Sequence, residues 1–401
     1  MRKTAVMNGQ TEEIWLSAYG KKKLLGYADS FRDLAKSFGE KEAVIRTELP
    51  ENRDVQERQE YLMKRRLKEN REILAGQLCE VAEIMRGLAE ETCQVYPFKE
   101  KELKKLIQAC KENGILIKSI FRTRDEERGM RLIVRMCASG KQVLTAEDAA
   151  DYLSVLLDCR LIPEKDSLFF LSKEYETLVF EEEAPFCVLT GAAKATRENE
   201  KVSGDSYAFI ENGNASLVMA LSDGMGSGEK ALADSEAVID LLEKFLEAGF
   251  TKETAVEMIN GVLIARSEEE NMSTLDICDV NLYTGDCELL KIGSSYTYIK
   301  RGELVEPIAA KNLPLGIFHK MDLEKQHCNL QDGDYMIMLS DGIVDGVGDE
   351  ALLREVIGQM RIQNPQEMAN YILQFVLHKT AGRIQDDMTV LAMGIWESSA
   401  G

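Results

Sequence analysis

Five aspartates in the second half of this sequence stand where acidic side chains can act together. "VSGDSYAF" puts Asp205 where a strand pattern begins, and "MALSDGMG" puts Asp223 where a run of apolar residues stops. "MIMLSDG" does the same with Asp341, and "GRIQDDMTVLAMGIW" puts Asp386 and Asp387 directly before another apolar run. The plain explanation of a repeated Ser-Asp-Gly is turn chemistry, because Gly accepts positive φ and Asp bonds nearby backbone. Four acidic strand ends in one chain favour a shared purpose instead. Carboxylates at the ends of buried strands carry repulsion and desolvation costs if they share a cleft, and a hard divalent cation is the usual compensation. Oxygen-only ligation favours magnesium or manganese over zinc. Two such ions about 3.5–4 Å apart hold a hydroxide in line with a phosphorus atom and neutralise charge growing on its oxygens. The chemistry expected is metal-assisted hydrolysis of a phosphate ester.

Neighbouring residues extend the expectation. In "DGMGSGEKA", Gly226 and Gly228 keep the loop bare enough for close approach, and the helix that follows seats its N-terminus beside the site. Lys194 and Arg197, in "AAKATREN" just before Asp205, are candidate contacts for a substrate phosphate, set against the plainer expectation of solvated basic residues on a strand. The three histidines, His319, His327 and His378, stand in no metal or triad motif, and no Cys-x5-Arg phosphate cradle occurs.

The elements that must position these residues follow from pattern. Strand signals dominate from Pro185 onwards, separated by turn signals at Asn212-Gly213, Thr284-Gly285, Arg301-Gly302 and Asp332-Gly333. Helical patterns at about 229–248 and 252–266 interrupt them, and two more follow the second Ser-Asp-Gly. The fold class expected is α/β: a layered α/β/β/α antiparallel β-sandwich, preceded by a helical region and a small α/β regulatory region. Upstream, residues 11–91 are charge-dense with apolar residues at helical spacing, including a block at 53–91 that predicts a long helix or helical hairpin. A coiled coil that dimerises is the sharper form of that expectation. "KELKKLIQACKENG" predicts a helix, "ILIKSIFRTR" and "RGMRLIVRMCA" predict strands, Thr145 opens a second helix as an N-cap, and "SLFFLSKEYETLVFEE" predicts one more strand. The boundaries expected are 1–96 for a helical regulatory or oligomerisation region, 97–183 for the small α/β domain, and 184–401 for the catalytic domain.

Composition narrows the function classes. With 69 acidic against 49 basic residues, the formal charge of −20 argues against a nucleic-acid phosphate track. Nine cysteines without a Cys-x-x-Cys pair predict reduced, small apolar core residues and a cytoplasmic setting. No stretch reaches the roughly 18 consecutive apolar residues that span a bilayer.

"GD" at 204–205, "DGMGSG" at 223–228, "SDG" at 340–342 and "DDMTV" at 386–390, in that order, resemble the motifs of the PP2C (PPM) metal-dependent serine/threonine phosphatases. Within the bacterial branch, "MSTLDICDVNLYTGDCELLKIGSSYTYIKRGELVEP" and "LLGYADSFRDLAKSF" are similar to the stage II sporulation protein E (SpoIIE) group. The resemblance implies that Asp223 bridges two manganese or magnesium ions, with the Gly224 carbonyl as a further ligand. Asp341 and Asp386 complete the two sites, a third ion is an option, and Asp205 binds through water or stands behind the ligands. Asp387 is implied as a supporting residue. Also implied are direct hydrolysis of phosphoserine without a covalent intermediate, and a phosphorylated STAS-domain anti-anti-sigma factor as substrate. The region upstream would regulate, form a homodimer and meet the division machinery around FtsZ. The location implied is the cytoplasm, or the cytoplasmic face of the membrane if a membrane domain is missing from this chain. The rival expectations are a catalytically silent PP2C-like scaffold and a two-metal phosphatase of another substrate.

Overall fold

The computed structural model describes residues 98–398 except 126–128, 141–142, 165–166, 213–214, 227, 249, 267–271, 294–295, 309–313, 318–322 and 324, together with helical positions within 25–36 and 75–86. The rest of the 53–91 block lies outside the described residues. Two compact units are distinguished by their internal contacts. One comprises Met1–Arg124, Leu132–Val143 and Leu171–Thr177, the other Asp125–Arg131, Leu144–Phe170 and Leu178–Gly401.

In the first unit, the helical positions within 25–36 and 75–86 bury Ala28, Ala35 and Ala82 and are joined by the ion pairs Arg32–Glu83 and Arg86–Asp29. Helix α1 (Glu100–Glu112) stops at Asn113, before Gly114 at φ 80°. Strands β1 (Ile115–Asp125), β2 (Gly129–Ala138), β3 (Leu161–Pro163) and β4 (Glu176–Glu182), whose residues are divided between the two units, form a sheet of order β1-β2-β4-β3. Helix α2 (Ala146–Leu157), which belongs to the second unit, opens at Thr145, whose hydroxyl accepts from Asp148 N at 3.0 Å while Asp148 reaches back to Thr145 N, a reciprocal cap. The single strand expected over 167–182 forms only at 176–182. A local turn displaces its first half, where Ser172 Oγ accepts from Glu174 N at 3.0 Å.

The second unit holds the sandwich. Its strands are β5 (Phe186–Ala195), β6 (Asp205–Asn212), β7 (Ser216–Asp223), β8 (Leu275–Asn281), β9 (Asp286–Ile292), β10 (Tyr296–Arg301), β11 (Leu304–Ile308), β12 (Lys325–Asn329), β13 (Tyr335–Leu339) and β14 (Met388–Glu397). They form two five-stranded sheets, β11-β10-β13-β14-β5 and β12-β9-β8-β7-β6, and the neighbours pair antiparallel. Helices α3 (Gly228–Glu247) and α4 (Lys252–Arg266) cover one sheet, with Val238, Leu242, Val256 and Ile259 packed on Val218, Ala220 and Ile277. Helices α5 (Asp341–Val347), α6 (Glu350–Gln359) and α7 (Pro365–Lys379) cover the other through Ile343, Leu353, Ile372 and Val376. Between the sheets lies a third core of Leu217, Met219, Leu221, Met336, Met338, Leu391 and Met393. The α/β/β/α layering expected from the alternation of elements is therefore present, with three helices rather than two after β13. Among the described residues no helix is long and apolar enough to cross a membrane.

Candidate metal centre

One end of the sandwich collects the acidic strand ends. Asp205 begins β6 and Asp223 ends β7, and the two residues face each other in register. On the other sheet Leu339, the last residue of β13, is paired with Val390 of β14. The chain before that pair in β14, residues 386 and 387, and the chain after it in β13, residue 341, thus reach the same level. The continuous apolar runs that made these strands recognisable are what bring the residues there. A fully buried strand such as "YMIML" runs to the edge of the core and stops where a charge must meet solvent.

The two adjacent tail carboxylates have different neighbours. Asp387 is buried, and its oxygens accept from Arg197 N at 2.8 Å and Gly204 N at 2.6 Å. It thereby ties the segment leading into Asp205 to the start of β14. Asp386 is exposed, and its Oδ1 accepts from Asp387 N at 3.0 Å. Asp341 Oδ1 accepts from Gly342 N at 2.8 Å. Gly342 leaves no room for a side chain, since a Cβ there would stand 2.2 Å from the Asp387 carbonyl oxygen. Gly224 is equally constrained, because its Cβ would fall 2.0 Å from the Ala231 carbonyl oxygen of α3. Gly226 and Gly228 adopt φ of 108° and 71°, a region that favours glycine, on the way into α3.

Hydroxyl groups missing from the sequence expectation fix this end further. Ser273 and Thr274 lie beside Asp223. Thr274 N and Ser273 Oγ donate to Asp223 O at 2.9 and 2.8 Å, and Asp223 N donates to Thr274 Oγ1 at 3.0 Å. Thr389 Oγ1 donates to Asp205 Oδ2 at 2.6 Å, and Ser340 Oγ accepts from Thr389 N at 2.8 Å. Both Ser340 and Thr389 stand inside quoted motifs, "SDG" and "DDMTV", yet their type alone does not distinguish them from ordinary strand residues. Only the partner across the sheets does.

The carboxylates also act on one another electrically. Burial pushes the Asp223 carboxyl up to about 8, assisted by the charges of Asp205, Asp341, Asp386 and Asp387. Burial also raises Asp205, to about 6, with Asp387 adding to the rise and Thr389, Lys194 and Ser340 opposing it. Asp341 is raised by burial and by Asp386. Among the described residues no three acidic, histidine or cysteine side chains are gathered tightly enough to enclose an ion. The donor set nonetheless fits hard divalent cations: it is all oxygen, it concentrates negative charge where desolvation makes that charge costly, and it is bordered by a bare glycine backbone.

The other candidates sit as follows. The Lys194 ammonium donates to the main-chain carbonyl of Asp205, so it is committed to that loop. Arg197 contributes its main-chain N–H to Asp387 while its side chain is exposed. His327 is exposed beside Glu288, and His378 lies in the last turn of α7; neither is among the groups that act on Asp205, Asp223 or Asp341. His319 lies outside the described residues.

Comparison with known proteins shows what the chain as a whole is similar to. The profile of the stage II sporulation protein E (SpoIIE) family matches residues 213–396. Stage II sporulation protein E of Bacillus subtilis (strain 168) is 32% identical over 337 residues, which is 83% of this chain and 41% of that protein. The Priestia megaterium protein of the same name is 30% identical over 335 residues, 82% of this chain and 57% of that one. The chain thus spans well under two thirds of either relative. Among solved structures, the PP2C phosphatase domain with a fragment of the regulatory domain of the cell fate determinant SpoIIE from Bacillus subtilis superposes with a TM-score of 0.58 at 30% identity. That match covers 84% of this chain and 99% of the other.

Proposed function

Because this chain belongs to the stage II sporulation protein E family and has the PP2C phosphatase fold, we propose that it is a metal-dependent phosphatase that hydrolyses phosphoserine or phosphothreonine on a regulatory protein. The observation that carries this reading is the meeting of acidic strand ends: Asp205 faces Asp223 in register, and Asp341 and the Asp386–Asp387 pair flank the paired residues Leu339 and Val390. Burial and neighbouring charges push the Asp223 carboxyl well above the usual carboxylate range. Asp223, Asp341, Asp386 and the Gly224 carbonyl would hold manganese or magnesium. Asp205 stands behind them on its Thr389 contact, and Asp387 fixes the loop through two main-chain N–H groups. Bound there, such cations supply Lewis-acid activation of water and neutralise charge on phosphoryl oxygens. The chain's own part is positional. The register of β6 against β7 and of β13 against β14 presents the carboxylates together, Gly224 and Gly342 let backbone approach closely, and the helices on either face hold the strand ends still.

The finer reading is that the substrate is a phosphorylated STAS-domain anti-anti-sigma factor in sporulation control, with residues 1–183 serving regulation, self-association and contact with the division machinery around FtsZ. It includes the boundaries 1–96, 97–183 and 184–401 and a cytoplasmic location. Family membership supports it, as does the retention of every carboxylate, the loss of which would be expected of a silent scaffold. The test is release of phosphate from a phosphoserine STAS-domain protein by the full chain, with and without manganese, beside Asp341→Ala. Turnover that needs both manganese and Asp341 is the expected result. A folded protein with no turnover at any manganese concentration would favour the scaffold.

A further inference from the structure

The apolar stripes that face each other inside the sandwich end in hydroxyl groups. On β14, Leu391, Met393 and Ile395 belong to the core between the sheets, as do Met336 and Met338 on β13. Residues two apart share a face of a strand, so the next members of these stripes toward the acidic end are Thr389 and Ser340. Both are buried, at 0% and 2% exposure. Across the gap the stripe Leu217, Met219, Leu221 of β7 runs on to Asp223, which lies beside Asp205.

A valine at position 389 would continue the stripe with the same shape, so the hydroxyl calls for its own reason. That reason lies on the facing sheet. Thr389 Oγ1 donates to Asp205 Oδ2 at 2.6 Å, in the short range of charge-assisted O–H···O bonds. Asp205 is 1% exposed and has Asp387 as a like-charged neighbour, so the orientation of its carboxylate depends on such donors. Ser340 holds the donor itself in place: its Oγ accepts from Thr389 N at 2.8 Å and donates to Asp387 O at 3.3 Å, and its N–H donates to Thr389 O at 3.0 Å.

We propose that Thr389 is a positioning residue for the metal centre, which sets the orientation of the Asp205 carboxylate from the opposite sheet and so locks the two sheets together at the level where cations bind. Thr389 acts through Asp205 and touches no cation. The inference rests on the metal-dependent reading above and adds to it a residue outside the ligand set.

The experiment is calorimetric titration of manganese into the full chain, for wild type, Thr389→Ala and Thr389→Ser, with a metal-free melting curve for each. Removing a hydrogen-bond partner of a metal-site carboxylate typically weakens metal binding by about 10- to 100-fold. A loss of that size in T389A, with near wild-type affinity in T389S, is expected. Turnover by T389A should recover as manganese is raised, because the defect lies in loading the site. A T389A protein that melts cooperatively and binds manganese as wild type does overturns the proposal. If T389A does not fold, Ser340→Ala replaces it: a similar loss supports the proposal and wild-type binding overturns it. Wild-type protein that binds no manganese overturns the metal-dependent reading itself, a result distinct from the other two.

Discussion

The tail pair Asp386 and Asp387 shows how neighbouring residues of one type acquire different work. Asp387 spends its oxygens on two main-chain N–H groups of a loop almost two hundred positions earlier, whereas Asp386 faces solvent. Replacing Asp387 by Ala leaves the Gly204 and Arg197 amides without that acceptor, and should cost about 2–4 kcal/mol in a urea titration of metal-free protein. Asp223 makes a prediction of different sign. Burial pushes its folded pKa up to about 8, above the ordinary carboxylate value of 3.8, so the metal-free folded state binds a proton that the unfolded chain has released. The stability linked to that proton is present below the unfolded value and is lost as pH rises toward 8. Asp223→Asn removes the titration. The melting temperature of D223N minus that of wild type, both in chelator, should therefore increase between pH 5 and pH 8. Manganese should raise the wild-type value most at the upper end of that range.

At the scale of elements, the site depends on how closely helices press on strand ends. Helix α7 rests on edge strand β5 at Gly191, where a Cβ would meet the Gln366 main chain at 2.3 Å, and the Gln366 amide exchanges hydrogen bonds with Ala192 N and O at 3.1 and 2.7 Å. Gly191→Ala must push α7 outward, and should destabilise the protein by about 1–3 kcal/mol, readable as a lower urea midpoint at unchanged slope. Much at this scale was legible in sequence. The buried run "YMIML", the turns at Thr284-Gly285, Arg301-Gly302 and Asp332-Gly333, and the cap at Thr145 each specify local structure through groups only a few residues away, whereas Gly213 of the Asn212-Gly213 turn lies outside the described residues. The stretch 167–182 was not legible, because a Ser172 turn and an alternating apolar pattern compete there and local pattern does not say which wins. The tight seat of Gly191 was equally hidden, since it depends on a helix 175 positions later.

For the whole molecule, the interior of the sandwich is not uniformly apolar. Lys291 of β9 and Asp276 of β8 are an ion pair with both side chains fully buried, and Lys291 Nζ also donates to Thr297 Oγ1 of the facing sheet at 2.8 Å. Truncating one member of such a pair strands the other charge in the interior. Lys291→Ala should therefore lower unfolding free energy by about 3–5 kcal/mol, more than a typical core truncation of a lysine stem would. The double variant Lys291→Met with Asp276→Leu should recover much of that loss, because well-packed apolar residues can replace a buried pair. Equilibrium denaturation of the three proteins checks both statements.

The sequence by itself determined the acidic strand ends, the layered class of the fold and the chemistry that oxygen ligands permit. Each of these is written in short-range terms: residue type, period and the turn that follows. The tertiary structure alone decided which carboxylate is clamped and which is open, that Thr389 answers Asp205, and that Ser273 and Thr274 brace Asp223. The physical reason is the strand order. Residues 186–195 pair with 388–397 at one edge, and residues 205–212 pair with 216–223 in the opposite sheet. A hydrogen bond across that gap joins positions 184 apart. No local pattern carries such a distance; it is set by the packing of two sheets about a shared core.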